Sequence, residues 1–221
     1  MHEFFYGVLP YIALTIFIGG TIVRYTVSER NWTTKSSEFL DKKSLKWANP
    51  IFHLGLLMAF GGHFIGILVP KFVTEAAGTD EATYHMIALA GGIPAAALFL
   101  GGFLWLMKRR FFGSARMQVN TSGTDRLLYL LLLLALVSGT TATITNIPGG
   151  FDYRESISPW FRSVLMLSPD VSLMEDVPAI FQFHMFTWMM VAIVFPFSRL
   201  VHCLSLPFEY LMRSNIVYRR K

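Results

Sequence analysis

Five apolar segments, residues 4–23, 47–69, 84–107, 125–147 and 178–204, divide this chain. Each is close to the ~20 residues that a helix needs to cross a hydrocarbon core about 30 Å thick. Lipid offers no partner for a backbone N–H or C=O, so such a segment must satisfy its own polar groups, as an α-helix does. The expected fold is all-α: an integral membrane bundle of about five transmembrane helices, forming one membrane-embedded domain over residues 1–221. Composition agrees, since 53% hydrophobic against 15% charged residues is too apolar for an ordinary soluble domain. The first segment follows Met-His-Glu with no basic n-region and no small-residue cleavage site, and so reads as a retained span rather than a signal peptide.

Of the 19 Lys and Arg residues, 16 fall between spans one and two, after span three, or at the C-terminal end. Only Lys71, Arg154 and Arg162 fall on the other side. By the positive-inside rule the basic side is cytoplasmic, which puts the N-terminus outside and the C-terminus in the cytoplasm. This one-sided distribution accounts for the net charge of +5 without a nucleic-acid partner. The basic stretches 30–46 and 213–221 are docking candidates for cytoplasmic partners, and topology alone explains them equally well.

The segment IFHLGLLMAFGGHFIG, residues 51–66, sets His53 and His63 in a run with no other ionisable group, and span five carries His184 and His202. An ionisable residue within a span normally faces the bundle interior and marks function. His2 at the terminus, and His85 near the outer end of span three, can reach water instead. Spans two and five run antiparallel in the orientation above, so depth pairs His53 with His202 on the inner side and His63 with His184 on the outer side. The spacing is unequal. Ten residues rise ~15 Å, whereas eighteen rise ~27 Å and make five full turns on one face of an ideal helix. Pro196 lies between the two histidines of span five, where proline kinks or breaks a helix and absorbs part of the mismatch.

Zinc needs three or four ligands converging on one ion, and a di-iron site needs Glu-x-x-His pairs with further carboxylates; spans two and five supply neither. The single cysteine, Cys203, excludes a C-x-x-C-H attachment. A b-type haem suits two imidazoles at one depth on facing helices, so two pairs predict two haems, with His53 and His202 on the inner iron and His63 and His184 on the outer. Gly55, Gly61, Gly62 and Gly66 beside the histidines leave room for a flat macrocycle, or serve close helix packing. Arg199, three residues before His202, and Arg109 and Arg110 at the inner end of span three are candidates for the haem carboxylates, although membrane topology also accounts for the latter two.

Iron with two axial imidazoles has no vacant position, so such sites move electrons rather than bind substrate. The donor natural to a bilayer is a quinol, and the chain's lack of an iron–sulfur ligand set makes the acceptor another polypeptide. The segment 147–177 contains Ser158-Pro159, an N-cap and first-turn signal, followed by the apolar-basic run 160–167; a short interfacial helix is expected there. A haem-free transporter or anchor is the alternative from another class, although no internal repeat or broken half-helix pattern favours it.

The stretches RY at 24–25, FLDKKSLKWANPIFHLG, FGGHFIGILVP, KRRFF, FDYRESISPWFRSV, QFHMF and PFSRLVHCLSLPFEYL together resemble the gamma-subunit family of respiratory nitrate reductases, which are di-haem cytochrome b membrane subunits. The resemblance covers essentially the whole chain. It implies a bacterial or archaeal cytoplasmic membrane and a heterotrimer with an iron–sulfur subunit and a molybdenum catalytic subunit on the cytoplasmic face. It further implies oxidation of a quinol, menaquinol being the expected species, near the outer haem, with electrons passing inward to nitrate reduction on a partner. The nearest alternative of the same fold is the cytochrome subunit of a heterodisulfide-reductase-like or sulfite-metabolising complex. Where some members carry a quinol-site lysine near the outer start of span three, this chain has Thr83, Tyr84 and His85, so the resemblance implies a quinol site whose candidate residues here are Gly62, His63, Thr83 and His85, with the His85 imidazole as a proton acceptor.

Overall fold

The computed structural model describes residues 1–27 and 42–204, and among these every regular element is helical. Helix α1 (Leu9–Val27) extends a π-helical turn at Phe4–Val8. Helix α2 (Lys42–His63) continues into a second π-helical turn, Phe64–Leu68. A short α3 (Lys71–Ala76) leads to the long α4 (Glu81–Phe112); α5 (Ala115–Val119) precedes α6 (Gly123–Thr145). Then come α7 (Ile157–Leu165) and α8 (Ala179–Val194), the latter followed by 3-10 segments at Phe195–Phe197 and Arg199–Leu204. Five of these runs are long and apolar enough to cross a membrane: Phe4–Val27, Ser44–Leu68, Glu81–Phe112, Gly123–Thr145 and Ala179–Phe197. Large apolar residues such as Leu57, Phe60 and Ile87 point outward from them, as they should where the solvent is lipid. The docking candidates in 30–46 and 213–221 lie outside the described residues except for 42–46.

Local chemistry places the span starts. Asp80 accepts the Thr83 N–H at 2.8 Å to cap α4. At α6 a reciprocal box forms, with the Asp125 N–H donating to Ser122 Oγ at 3.1 Å and the Ser122 N–H to Asp125 Oδ2 at 2.9 Å. Helices α2 and α4 then pack backbone to backbone. A Cβ at Gly55 would lie 2.3 Å from the Phe99 nitrogen, and one at Gly102 would lie 2.5 Å from the Phe52 nitrogen. Two helices this close need glycine at the contact, because lipid-exposed bundles gain by van der Waals fit rather than by expelling water. Gly55 is therefore a packing residue and does not make room for a macrocycle.

The bundle closes differently at its two ends. At the end away from the basic residues, the segment 147–177 folds over the helices, and Tyr6, Ile157, Trp160, Val164, Met174 and Val177 bury one another. Trp160 Nε1 donates to the Tyr6 carbonyl at 3.0 Å and Arg162 Nη1 to the Ile67 carbonyl at 2.8 Å. The expected short helix is present as α7, but Ser158 does not cap it. The helix begins at Ile157, two residues before the start that a Ser158 cap would set, and the buried Ser158 hydroxyl donates instead to the Gly66 carbonyl at 2.8 Å, tying the segment to the π-helical turn after His63.

At the basic end, span five does not continue as one helix. Pro196 has no N–H and its ring crowds the preceding turn. The α-helix stops at Val194, and Ser198 is extended at φ −111°, ψ 179° before the last 3-10 segment. Arg24 covers the break from α1, its guanidinium donating to the Pro196 carbonyl and, at 3.0 Å, to that of Ser198. The five-turn periodicity that put His184 and His202 on one face is therefore interrupted, for the reason that Pro196 supplies.

Candidate functional site

His63 and His184 meet across the bundle, with ring centres 6.1 Å apart and planes inclined by 33°. A metal–nitrogen bond of about 2 Å on each side, plus the distance from nitrogen to ring centre, puts two imidazoles sharing one ion roughly 6 Å apart, centre to centre. Trp188, one turn along α8, packs edge-on against His184 at 6.3 Å. Among the described residues no ring contact joins His53 to His202. His53 packs against Phe52, and His202 lies in the 3-10 segment beyond Ser198.

All four span histidines share one hydrogen-bond pattern. Nδ1 lies 2.8 Å from the Asn49 carbonyl in His53, 2.7 Å from that of Ala59 in His63, 2.9 Å from that of Ala135 in His184 and 2.7 Å from that of Arg199 in His202. A carbonyl only accepts, so Nδ1 carries a proton in each, and in the neutral form of such a ring the lone pair is on Nε2. This is the tautomer that a metal-binding imidazole adopts, with the distal N–H donated to a fixed acceptor. His85 is the reverse: its Nε2 lies 3.2 Å from the Ile147 carbonyl, which leaves Nδ1 as the basic nitrogen.

Space lies beside His63. The antiparallel contacts that set Gly55 on Phe99 and Phe52 on Gly102 carry His63 to the level of Gly91 on α4. A Cβ added at Gly61, Gly62, Gly91 or Gly92 would have no neighbour within 4 Å. Gly66 behaves differently, since Tyr153 fills its side at 3.0 Å. A shallow apolar groove of about 480 Å³, lined by Ala82, Thr83, Met86, Ile87 and Ala90, runs down α4 toward the same level. Thr83 belongs to this groove. His85 does not, since at 100° per residue it lies on another face of the helix.

At the basic end, Arg199 is held in a fork by Asp125, with Nε to Oδ1 at 2.6 Å and Nη2 to Oδ2 at 3.0 Å, and also donates to the Asn120 carbonyl. Asp125 is buried, so this pair joins the start of span four to the broken end of span five. Arg110 is buried as well. It contacts Met117 Sδ at 3.8 Å, and among the described residues no carboxylate bonds it directly.

An ion cluster locks the other end. Lys71 Nζ lies 2.8 Å from Asp152, 2.6 Å from Glu155 and 3.1 Å from Glu81. The buried Arg154 donates to Glu81 at 2.5 Å and to Thr74 Oγ1 at 2.9 Å, and its guanidinium stacks 3.6 Å over the Tyr84 ring. Burial disfavours the Asp152 carboxylate, but the Lys71 ammonium and the Arg154 N–H outweigh it and hold its pKa below the ordinary range. Asp152 and Glu155 in turn hold the Lys71 ammonium above its usual pKa. The depressed carboxylate stabilises the fold above its unfolded pKa of ~3.9, and this is lost as pH falls through the folded value; the raised lysine stabilises it below ~10.4, and this is lost as pH rises through its folded value. Limited proteolysis of segment 147–177 in detergent should therefore be flat between about pH 5 and pH 9, rising below about pH 4 and again above about pH 10. A rise between pH 6 and pH 8 would refute this account of the cluster.

Three parts of this arrangement were not singled out by the sequence: Asp125 stood only at the edge of an apolar span, Tyr153 and Arg154 only within the stretch FDYRESISPWFRSV, and Ser138 and Gly139 within span four. Ser138 Oγ lies 3.2 Å from His184 Nδ1, and a Cβ at Gly139 would meet the same ring at 2.6 Å. Each acts through a residue far away in the chain.

Fold and site together define a polytopic helical membrane protein that carries four histidines at its spans, two of them ring to ring. The family described as nitrate reductase gamma subunit matches residues 2–221. The chain is similar to the nitrate reductase gamma chain of Bacillus subtilis strain 168, at 46% identity over 220 residues, covering 99% of this chain and 98% of that one. It is 34% identical over 227 residues to the respiratory nitrate reductase 1 gamma chain of Escherichia coli K12, covering 100% of this chain and 98% of the other. It also matches the nitrate reductase-like protein NarX of Mycobacterium tuberculosis at 37% over 225 residues, all of this chain but 34% of the longer relative. The chain belongs to the nitrate reductase gamma subunit family, the cytochrome b membrane subunit of respiratory nitrate reductase. It is thus a multi-pass bacterial membrane protein that associates with other nitrate reductase subunits in a membrane complex.

Proposed function

We propose that this subunit oxidises a quinol, menaquinol by expectation, near the outer face and delivers the electrons inward through two b-type haems to an iron–sulfur subunit and a molybdenum subunit on the cytoplasmic side. His63 and His184 would hold the outer haem, and His53 and His202 the inner one. When bound, the two haems supply one-electron transfer across the bilayer. The observation that carries the reading is the shared tautomer: four intramembrane imidazoles, each with Nδ1 on a backbone carbonyl and Nε2 left for metal, two of them 6.1 Å apart. The open positions at Gly61, Gly62, Gly91 and Gly92 support room for a flat group at the outer pair.

The chain's own groups divide the remaining work. The open apolar face of α4 along Ala82, Thr83, Met86, Ile87 and Ala90 leads a lipid-soluble ring toward the level of His63. Gly62 lets the ring approach without a side chain in the way. His85 offers Nδ1 to a departing proton from the neighbouring helix face. Arg110, buried with no direct carboxylate partner among the described residues, is the more available cation for the inner haem carboxylates, while Arg199 already shares its fork with Asp125. The basic end faces the cytoplasm.

The purified complex is expected to show two reducible b-type haems in dithionite-reduced minus oxidised spectra, both reduced by a menaquinol analogue. A preparation that is colourless with ample haem supply would end this reading in favour of a haem-free anchor.

A further inference from the structure

The four span histidines share a tautomer but not a source of support. His53 and His63 bond the carbonyl four residues earlier on their own helix, and His202 bonds the carbonyl three residues earlier. His184 alone bonds a different helix: its acceptor is the Ala135 carbonyl on α6, 2.9 Å away. Around that carbonyl α6 places two further residues. Ser138 Oγ donates to the Ala135 carbonyl at 3.0 Å and stands 3.2 Å from His184 Nδ1, so it shares both partners of the same hydrogen bond. Gly139 presents a bare backbone to the ring, where a Cβ would come to 2.6 Å from Cε1 and 3.0 Å from Nδ1. Separations below 3 Å are not met by real Cβ atoms, so the ring or α6 would have to move.

From this asymmetry we propose that Ser138 and Gly139 on α6 are positioning residues for His184, setting the orientation and basicity of one outer-haem ligand through the packing of α6 on α8. A histidine oriented by its own helix keeps its ring when neighbours shift. One oriented across a helix pair does not. The acceptor on Nδ1–H fixes the ring and raises the basicity of the opposite nitrogen, which tunes a bound metal. Ser138 modulates that acceptor by occupying part of the carbonyl, and Gly139 admits the ring to it. The inference rests on the di-haem reading above and goes beyond it by naming residues that touch neither metal nor quinol.

The test is a spectroscopically monitored redox titration of the intact complex, with haem content measured in parallel. The His184→Ala complex identifies which signal belongs to the outer haem. Gly139→Ala is expected to lose that signal, or to convert it to a high-spin form, while the inner haem is retained and serves as the check that the bundle has folded. Ser138→Ala is expected to shift the midpoint potential of the outer haem alone, and Ser138→Thr, which keeps the hydroxyl, to restore most of the shift. Should Gly139→Ala fail to accumulate, Ser138→Ala decides. Unchanged outer-haem potential and spectrum in Ser138→Ala, or both haems unaltered in Gly139→Ala, would overturn the proposal and leave the di-haem reading intact. A native complex lacking haem would overturn that reading itself.

Discussion

A His184→Ala complex is expected to carry one haem in place of two and to lose quinol-driven electron delivery, while a soluble donor that reduces the partner subunits directly still supports turnover. The argument is geometric. His184 and His63 stand 6.1 Å apart, and each has its Nδ1 occupied, so removing either ring leaves one imidazole where two are needed. The proposed inner ligands lie elsewhere, His53 ten residues before His63 on α2 and His202 beyond the Ser198 break, and should keep their haem. His63→Ala should reproduce the phenotype. His53→Ala should instead remove the other spectral component. Loss of both haems in His184→Ala, with the complex otherwise assembled, would show that the pairing is wrong.

The second large effect is structural. Gly55→Val is expected to cost roughly 3 kcal/mol, at the upper end for overpacking, because its Cβ would stand 2.3 Å from a backbone nitrogen of α4 rather than from a movable side chain. Relief requires α2 and α4 to separate, and α2 carries both His53 and His63. Thermal unfolding in detergent should show a lowered midpoint together with reduced occupancy of both haems. Gly19→Ala is the control. It lies on α1 with no neighbour within 4 Å, and exchange of a helical glycine for alanine there should be neutral or favourable by up to ~1 kcal/mol. If Gly55→Val were as stable as Gly19→Ala, the close crossing of α2 and α4 would not exist.

How far a residue's role could be read in advance depended on whether its cause was local. His53, His63, His184 and His202 stood out because an imidazole in an apolar span contradicts its surroundings, and that contradiction needs no neighbour to be seen. Pro196 announced a break for the same reason. The glycines did not sort themselves: Gly55 packs against backbone, Gly66 against Tyr153, and Gly61 and Gly62 face open space, although all four sit in one span. Ser158 carried a capping signal, but α7 already begins at Ile157, and the Ser158 hydroxyl donates instead to the Gly66 carbonyl, 92 residues away.

Hydrophobic run length, the intrusion of four histidines and the one-sided basic residues follow from composition along the chain, and they were enough to set the number of spans and the chemistry to look for. Those properties come from each residue's own transfer free energy between water and lipid. Which imidazole leans on which helix, where Arg199 spends its charge, and which glycine is a contact rather than a gap were decided only by packing. They depend on distances between atoms remote in sequence, and in a bundle held by surface fit a shift of an ångström changes the partner.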